Sequence, residues 1–565
     1  MAKLSKKVWI PLMVVSICLV VGIVLFVSLY FTVCKVDLSI NVSQVNEEQK
    51  VLVEWDTSKL VDSVNITVSH NGDEIYSITI HDSNIIVAGS YEVPCYYGKQ
   101  KIKVTIKRGV YTTSKSKTVN VFAQEYNIAP LTATMPVTLF SLSLKDITNN
   151  YTTPTFVWFK RSGAWDYSKL PENVYTMPIA SADEITSNTN QKIIYEKTSE
   201  WIKELYEINP TSHFNLYYND FYAYGWLQAT VANGIPEENY NVTFLSDGTA
   251  SFLYFNNHFD NDNAQTEYDR MKQEYLTLKE QVAQRGDYTE SSKGFIIDAE
   301  DLREYVYVIA KEEANVQWWL TRIDGTLAPN NTEMKAEVDS LVNTKLFVKD
   351  LNTLLNAFSE QEKQDLKDLY KFSDNMFEKA TEENKEIMII LGTWTQYEYN
   401  FDAYVKAIQA YYGDDYVYYY KGHPKNPTNS VEGKLEKLTE LNLIDVDSTI
   451  PAELIFFFNP DAFATGYASS TFVSLNDDKC TALFNSREDD FAEAYKEKMD
   501  FFITPVEQTD PVYGELVTSD NCYVLEFTDE TQYSIAIYDF SKDSLTYYAK
   551  QGDEFVEFQS IENNQ

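Results

Sequence analysis

Cysteine and histidine are scarce in this chain, which contains five of each among 565 residues. Five scattered cysteines are too few for a disulfide-stabilised scaffold or a zinc site, although a pairing of Cys480 with Cys522 stays open. Positive charge is also limited, because 47 Lys and Arg residues stand against 84 Asp and Glu residues and leave a net charge of −37. A nucleic-acid-binding protein needs a basic patch to neutralise phosphates, so the composition argues against that class.

Charged residues are absent from one long segment near the N-terminus. Residues 8–34 are dominated by Val, Leu, Ile and Phe, and about 20 apolar residues span a bilayer. Lys3, Lys6 and Lys7 precede this segment. The positive-inside rule therefore predicts a cytoplasmic tail over residues 1–7, a transmembrane helix over 8–34 and an extracytoplasmic remainder, at a cell surface or in a secretory-pathway lumen. A cleaved signal peptide is the alternative, but its apolar region is only about 7–15 residues long, so an uncleaved single-pass anchor is favoured.

Residues 36–124 show short segments in which apolar and polar residues alternate. About seven such strands in this length predict an immunoglobulin-like or fibronectin-like β-sandwich. Trp55 is the candidate core aromatic, and Asn71-Gly72 predicts a hairpin turn. The clearest strand segments are residues 51–55, 64–69, 74–80 and 102–107.

From about residue 130 onward, predicted strands alternate with predicted helices, which indicates parallel sheets with helices on both faces. A buried strand at 386–391 opens a second unit, with a boundary near 384. The last segment, 506–565, predicts a C-terminal extension that forms a small β-meander. The other predicted strands are 137–144, 155–160, 215–218, 523–527, 534–538 and 544–548, and the predicted helices are 197–208, 265–284 and 360–381.

The strongest chemical signal is Lys421-Gly422-His423-Pro424, which follows the run YVYYY at 416–420. Val and Tyr followed by Gly and Pro indicate a buried strand that ends in a tight turn. Ligands of open α/β sheets bind outside the carboxyl ends of the strands. Lys421 and His423 are therefore candidates to meet a phosphate, the lysine by its charge and the histidine as a proton donor. A loop that only happens to contain these residues is the alternative.

Three further segments accompany this motif in order along the chain. Asp247 and Gly248 lie in LSDGTASF after the strand-like residues 240–245, Glu453 opens the strand-like run ELIFFF, and Ser469 and Ser470 lie in ATGYASSTF. Over about residues 130–500 this order and spacing resembles the bacterial sialyltransferases of glycosyltransferase family 80, which carry a D/E-D/E-G motif, a K-G-H-P motif, a downstream Glu and a Ser-Ser pair. The resemblance implies a GT-B fold of two Rossmann-like domains, with the acceptor side in 130–384 and the CMP-sugar side in 385–505.

The resemblance also implies the reaction, which is transfer of sialic acid from CMP-sialic acid to a sugar hydroxyl by an inverting displacement without a metal or other cofactor. Asp247 would be the base, since a free Asp is ionised at neutral pH, and His423 would be the acid toward the CMP phosphate. The implied partners are CMP-sialic acid, a glycan that ends in galactose, and a membrane through residues 8–34. The residues implied in CMP binding are Lys421, Gly422, His423, Pro424, Glu453 (to the ribose hydroxyls), Ser469 and Ser470.

This chain departs from the family pattern on the acceptor side. Ser246 stands where the family has its first acid, which puts any role of that acid in doubt. The family segment G-T-T-T-W reads Gly392-Thr393-Trp394-Thr395 here, so Trp394 is only a candidate for sugar stacking, with a core role as the alternative. The family's acceptor-side His has no counterpart in residues 217–220, where Asn219 and Asp220 are the candidates.

Two acidic triplets, Asp260-Asn261-Asp262 and Asp445-Val446-Asp447, have the D-x-D form of metal-dependent glycosyltransferases. Each lies in a polar, turn-like stretch, and CMP carries a single phosphate, so we expect no essential metal.

Two other functions stay open. One is a surface carbohydrate-binding or adhesive protein with an inactive transferase fold, and the other is a glycosyltransferase that uses a different nucleotide sugar.

Overall fold

The computed structural model describes residues 6–45, 49–70, 72–81, 87–159, 165–178, 191–288, 294–321, 327–393, 398, 400–485, 495–496, 498–529 and 532–562. The chain divides into two compact units. The first contains residues 1–125 and 200–213, and the second contains residues 126–199 and 214–565.

The first unit begins with helix α1, Lys6–Cys34. Within it, residues 13–34 reach a mean hydropathy of 2.8, and none of that apolar window is buried in the protein. The helix is thus long and apolar enough to cross a membrane. Because a signal sequence near the N-terminus can pass the same test of length and composition, the anchor and its orientation stay predictions.

Seven strands of the first unit form two antiparallel sheets, in the orders β1-β2-β5 and β4-β3-β6-β7. Every second residue of β2 and β3 is buried, as expected of strands with one face on a core. Trp55 is buried, as expected, whereas Asn71 of the predicted hairpin turn lies outside the described residues. The immunoglobulin-like class stays a prediction. The strands are β1 Leu38–Gln44, β2 Lys50–Thr57, β3 Ser63–His70, β4 Asp73–Ile80, β5 Ala88–Pro94, β6 Gly98–Arg108 and β7 Tyr111–Val121.

The second unit contains a seven-stranded sheet with the order β10-β9-β8-β11-β12-β13-β14. The strand pairs on either side of the β8–β11 junction run parallel. Chain order therefore reverses between β8 and β11, which is the type of position where open α/β sheets bind ligands. The strands are β8 Glu125–Leu131, β9 Thr155–Phe159, β10 Val174–Thr176, β11 His213–Asn219, β12 Tyr240–Leu245, β13 Val316–Leu320 and β14 Leu346–Val348.

Helices connect these strands, and two sequence predictions about them are wrong. Residues 137–144, predicted as a strand, lie mostly in a helix of buried apolar residues, because a short apolar run does not by itself distinguish a helix from a strand. The single helix predicted over 360–381 is two helices. The helices are α2 Thr134–Leu142, α3 Leu144–Ile147, α4 Gln191–Ile208, α5 Tyr224–Ala229, α6 Thr249–Phe259, α7 Ala264–Arg285, α8 Val306–Glu312, α9 Thr332–Leu341, α10 Leu351–Asn356, α11 Glu360–Leu369 and α12 Glu378–Glu383.

A second sheet has the order β17-β16-β15-β18-β19-β20-β21-β22-β23-β24. Its first six strands are parallel and again reverse order, here between β15 and β18. The strands from β20 onward pair antiparallel. The strands are β15 Glu386–Leu391, β16 Tyr416–Lys421, β17 Ile444–Val446, β18 Phe463–Gly466, β19 Cys480–Phe484, β20 Phe501–Val506, β21 Cys522–Phe527, β22 Ile535–Asp539, β23 Ser544–Gln551 and β24 Glu554–Glu562.

The second sheet revises the sequence interpretation at two places. The strands after β20 form the predicted meander, but they continue the second sheet. The run ELIFFF is a buried helix and not a strand. Cys480 and Cys522 are free thiols. The remaining helices are α13 Phe401–Tyr412, α14 Lys434–Glu440, α15 Ala452–Phe458 and α16 Thr471–Ser474. The mixed α/β class with two parallel sheets is confirmed, while the exact domain boundaries stay predictions.

Candidate functional site

The turn that carries Asp247 connects β12 to α6. Ser246 is fully buried, and its hydroxyl accepts a hydrogen bond from the Gly248 N–H at 3.1 Å and lies 2.9 Å from Oγ of Ser251. The N–H of Ser246 donates to the carbonyl of Trp319 at 3.0 Å. A small buried hydroxyl at position 246 therefore closes the turn, which gives the missing first acid a structural explanation.

The predicted acceptor residues Asn219 and Asp220 contact this turn from the end of β11. The Asn219 side chain is fully buried, and its amide nitrogen donates to the carbonyl of Thr132 at 3.0 Å and to Oδ1 of Asp247 at 3.1 Å. The same side chain thus connects the end of β8 with the end of β12 across the reversal of strand order. Its geometry indicates that it orients Asp247, and direct acceptor binding stays a prediction.

Asp220 is 4% exposed and receives hydrogen bonds on both carboxylate oxygens. Oδ1 accepts from the Asp247 N–H at 3.0 Å. Oδ2 accepts from the Ser251 hydroxyl at 2.5 Å and from the indole N–H of Trp318 at 3.0 Å. Burial raises the pKa of this carboxyl to about 6, against the lowering effect of these donors. The geometry thus indicates that Asp220 supports the base, and its predicted acceptor contact also stays a prediction.

Gly248 brings the first sheet's turn against the second sheet's serine pair. Its φ is +88°, a backbone conformation that residues other than glycine rarely adopt. A Cβ added at this position would lie 2.5 Å from Cβ of Ser470. The D-G and S-S motifs, which are more than 200 residues apart in the sequence, are therefore in contact.

The Lys421-Gly422-His423-Pro424 segment leaves the end of β16, as predicted. The Asn426 N–H donates to the carbonyl of His423 at 2.8 Å and tightens the turn. The Lys425 N–H donates to Nδ1 of His423 at 3.1 Å. An Nδ1 that accepts has its ring proton on Nε2 in the neutral tautomer, so Nε2–H is the group that His423 has to offer a leaving oxygen.

Lys421 is 5% exposed, and its ammonium donates to the carbonyl of Ser448 at 3.2 Å. Burial lowers its pKa to about 8, while Glu453, Asp447 and Asp445 act in the opposite direction. The charge of this lysine is therefore sensitive to its surroundings near neutral pH. Its contact with cytidine or phosphate stays a prediction.

Glu453 lies in the first turn of α15 and is 7% exposed, so it stands in a buried helix and not at the start of the predicted strand. Its Oε1 accepts from the Thr471 hydroxyl at 2.9 Å. Burial raises the pKa of its carboxyl, and the Thr471 hydroxyl and Lys421 oppose that rise. Glu453 is thus oriented by a residue of the serine segment, which places two predicted CMP-binding motifs side by side.

The serine pair follows β18. The Ser469 hydroxyl donates to Oγ1 of Thr471 at 3.2 Å and accepts from its N–H at 3.3 Å. Ser470 occupies the N-cap position of α16, but its side chain makes no capping bond. The capping role is therefore taken by Ser469, and α16 is a single turn. Phosphate binding by both serines stays a prediction.

The remaining predicted positions are Trp394 and the acids of the D-x-D triplets. Trp394 lies outside the described residues. In the described part of the chain, no three His, Cys, Asp or Glu side chains gather as metal ligands. Asp445 accepts from the Thr428 hydroxyl at 2.5 Å, and Asp447 accepts from the N–H of Thr449 at 2.9 Å. The absence of a metal requirement stays a prediction.

Sequence reasoning missed the residues that position the site. Ser251, Trp318 and Thr471 each form a hydrogen bond with a predicted site residue, and Arg303 lines the same pocket as Asp220. Ser251 follows Asp247 by four positions and lies in the first turn of α6, so its closeness to the candidate base could be expected from the sequence. Trp318 and Arg303 have no such signal, because only the fold brings them near.

No protein-family model and no curated protein sequence matches this chain. Several solved structures do match this chain. An α/β-galactoside α-2,3-sialyltransferase from Photobacterium phosphoreum aligns with 14% identity over 67% of this chain and 98% of its own, at a TM-score of 0.50. A 2,6-sialyltransferase from a Photobacterium species, crystallised with CMP and lactose, has 14% identity over 82% of this chain and 92% of its own, at 0.48. The GT-B domain of a sialyltransferase from Photobacterium damselae has 16% identity over 66% and 95%, at 0.47.

The likeness to the P. phosphoreum enzyme shows the fold. Its chain is covered almost completely, and this chain has two sheets with parallel strands, as is typical of GT-B proteins. The GT-B fold expected from the sequence is confirmed.

Proposed function

We propose that this chain is an inverting glycosyltransferase that transfers sialic acid from CMP-sialic acid to a sugar hydroxyl, with galactose as the acceptor sugar. The contact of Gly248 with Ser470 carries the proposal, since it brings the loop of the candidate base against the candidate donor site. The GT-B fold, shared with an α/β-galactoside sialyltransferase, supports it. Fold alone does not define a substrate, so the assignment depends on the motifs.

The chemistry divides between the two sheets. Asp247, fixed by Asn219 and Asp220, removes the proton of the acceptor hydroxyl as it attacks the anomeric carbon of the sialyl group. The bond from that carbon to the CMP phosphate oxygen breaks, and Nε2–H of His423 donates to the departing phosphate. Glu453 accepts from the ribose hydroxyls, and Ser469 and Ser470 donate to the phosphate.

Nucleotide binding to the full-length protein in detergent tests the donor. In calorimetry we expect CMP to bind and UDP and GDP not to bind. In an activity assay, transfer from CMP-sialic acid to lactose should yield a sialylated trisaccharide. Binding of UDP without CMP would overturn the donor assignment and favour another nucleotide sugar. Binding of CMP without transfer to any galactoside would favour an inactive, sugar-binding protein.

We also propose that α1 anchors the chain in a membrane, with residues 36–565 outside the cytoplasm. The uncharged window of α1 and the lysines before it support this orientation. Protease added to sealed vesicles of known orientation should digest residues 36–565 from the extracytoplasmic side. Digestion of only residues 1–7 from that side would reverse the orientation.

A further inference from the structure

The connection between α1 and the strands of the first unit is very short. Helix α1 ends at Cys34 and β1 begins at Leu38, so only residues 35–37 lie between them. Three residues span at most about 10 Å when fully extended. The Lys35 N–H also donates to the carbonyl of Phe31 at 2.9 Å, which continues the helical turn into the connection. The end of the two sheets from which β1 starts is therefore held close to the end of the helix.

Two loops at this end of the sheets contact the last turn of α1 directly. The Lys59 ammonium, in the loop from β2 to β3, donates to the carbonyl of Val33 at 3.1 Å. In the turn from β6 to β7, a Cβ added at Gly109 would lie 3.0 Å from the hydroxyl of Tyr30 and 3.5 Å from Sγ of Cys34. The two loops are thus fixed beside the last turn of the helix.

Exposed apolar side chains gather at the same end of the first unit. Outside α1, the described residues of this unit that expose a large apolar side chain are Leu60, Val87, Tyr96 and Val110. Leu60 and Val110 lie in the two loops that contact the helix, and the carbonyl of Val87 accepts from the N–H of Thr57 at the end of β2. Tyr96, between β5 and β6, lies at the opposite end. Scattered exposed apolar residues need no explanation, whereas three of four at one end do.

The length of α1 relates these loops to a bilayer. Its apolar window, residues 13–34, contains 22 residues. That is about 33 Å at 1.5 Å per residue, and the hydrocarbon core of a bilayer is about 30 Å thick. With this window across the core, the last turn of α1 lies at the boundary between hydrocarbon and headgroups, where Tyr30 is a typical interfacial residue. The loops that contact this turn then lie in the headgroup layer.

Charges of both signs accompany the apolar residues. The Lys59 ammonium and the Arg108 guanidinium each bond a backbone carbonyl, that of Leu60 in the case of Arg108, at 2.8 Å. Asp37 and Asp62 are exposed at the same end, and Oδ2 of Asp62 accepts from the N–H of the β6–β7 turn at 2.6 Å. Zwitterionic phospholipids carry a phosphate for such cations and an ammonium for such acids.

We propose that this end of the first unit docks into the headgroup layer of the membrane that α1 crosses, with Leu60, Val87 and Val110 inserted among the lipids and Lys59 and Arg108 at the phosphates. Removal of exposed apolar side chains from water is favourable, and the loops of Leu60 and Val110 lose little freedom because the helix already fixes them. The docking rests on the proposed anchor and goes beyond it, because it assigns lipid binding to loops that the transfer reaction does not use.

Depth measurements on the full-length protein in phosphatidylcholine nanodiscs test the docking. In a Cys18→Ser background the remaining cysteines are buried, so a nitroxide attached at Leu60→Cys or Val110→Cys reports a single position. We expect both labels to be accessible to oxygen and to lose their accessibility to a water-soluble nickel chelate. Tyr96→Cys, at the opposite end, is the matched control and should stay accessible to the chelate. Leu19→Cys, within α1, reports the anchor itself.

The labels separate the docking from the anchor, and neither depends on sialyl transfer. A label at Leu19 inside the bilayer, with labels at Leu60 and Val110 fully accessible to the chelate, would overturn the docking and leave the anchor intact. A label at Leu19 outside the bilayer would overturn the anchor and the docking with it.

A charged double variant distinguishes lipid binding from mere closeness to the membrane. Leu60→Asp combined with Val110→Asp should make a label at Val87→Cys accessible to the chelate, because two carboxylates would replace the inserted apolar side chains. Tyr96→Asp should leave the label at position 87 protected. Protection that persists in the double variant would mean that the helix alone holds these loops near the membrane, which would overturn the role of the apolar residues.

Discussion

The backbone N–H of Asp247 donates a hydrogen bond to Oδ1 of Asp220 at 3.0 Å. The candidate base is thus oriented by a second, buried carboxylate that follows the neighbouring strand. Burial raises the pKa of the Asp220 carboxyl, and the donors around it compensate part of that rise. The relationship gives Asp220 a positioning role that can be separated from binding.

Asp220→Asn should lower kcat by about 10-fold or more. The amide group of Asn would place an N–H donor opposite the donors of Ser251 or Trp318, and a lost hydrogen bond to a charged group costs roughly 1.5–3 kcal/mol. Burial raises the pKa of Asp220 to about 6. Above that pH the ionised carboxylate accepts hydrogen bonds from its donors, and below it protonation progressively weakens these hydrogen bonds. Wild-type kcat should therefore fall as pH decreases through about 6, and the variant should lack this limb. The control is Asp269→Asn on the exposed face of α7. An unchanged pH profile in Asp220→Asn would contradict the role.

Removal of the base or the acid should affect turnover more than binding. Asp247→Asn and His423→Ala are each expected to lower kcat by about 100-fold or more, the usual loss for a positioned acid or base. Asp247→Asn should leave the calorimetric affinity for CMP nearly unchanged, since Asp247 faces the acceptor hydroxyl. Near-normal turnover of Asp247→Asn would require a different carboxylate as the base.

Thr471→Val should weaken CMP binding. The hydroxyl of Thr471 donates to Glu453 and accepts from Ser469, so its loss releases two of the predicted nucleotide contacts. We expect the Kd for CMP to rise by about 10-fold, the effect of one hydrogen bond to a charged group. Thr439→Val removes an exposed hydroxyl that bonds only within α14 and serves as the control. Equal affinities in the two variants would place the nucleotide elsewhere.

Gly248→Ala should impair both halves of the site at once. The new Cβ would lie 2.5 Å from Cβ of Ser470, and the positive φ adds strain. We expect weaker CMP binding together with slower transfer. Gly234→Ala is matched to it, because Gly234 has a φ of +68° but no atom within 4 Å of an added Cβ. A similar loss in both variants, measured by calorimetry and thermal unfolding, would mean that backbone strain alone matters.

Chelation with EDTA should leave transfer unchanged. CMP offers one phosphate, which the serine hydroxyls and His423 meet without a bridging cation. Among the D-x-D candidates, Asp445 and Asp447 accept hydrogen bonds from Thr428 and Thr449. Loss of activity in EDTA, restored by a divalent cation, would instead assign Asp445 and Asp447 to a metal.

Much of the fold could be predicted from the sequence where local pattern and tertiary context agree. The strands β12, β15 and β16 lie where the apolar runs predicted them, because β-branched and aromatic residues between turn signals form buried strands in almost any α/β context. Predictions were wrong where a run of apolar residues was ambiguous. The α2 region and the run ELIFFF form buried helices. A short run that is apolar at nearly every position fits a buried helix as well as a buried strand, because its pattern shows neither the helical period of 3.6 residues nor the strand period of two.

The sequence by itself determined the apolar N-terminal helix, the alternating α/β pattern and the order of the four motifs, since each depends on residues adjacent in the chain. Only the tertiary structure decided that Gly248 contacts Ser470, that Asp220 supports Asp247 and that Arg303 stacks on Phe221 and Tyr254. These relationships join residues separated by 27 to more than 200 positions. They arise from the order of parallel strands, which gathers strand ends that the sequence keeps apart.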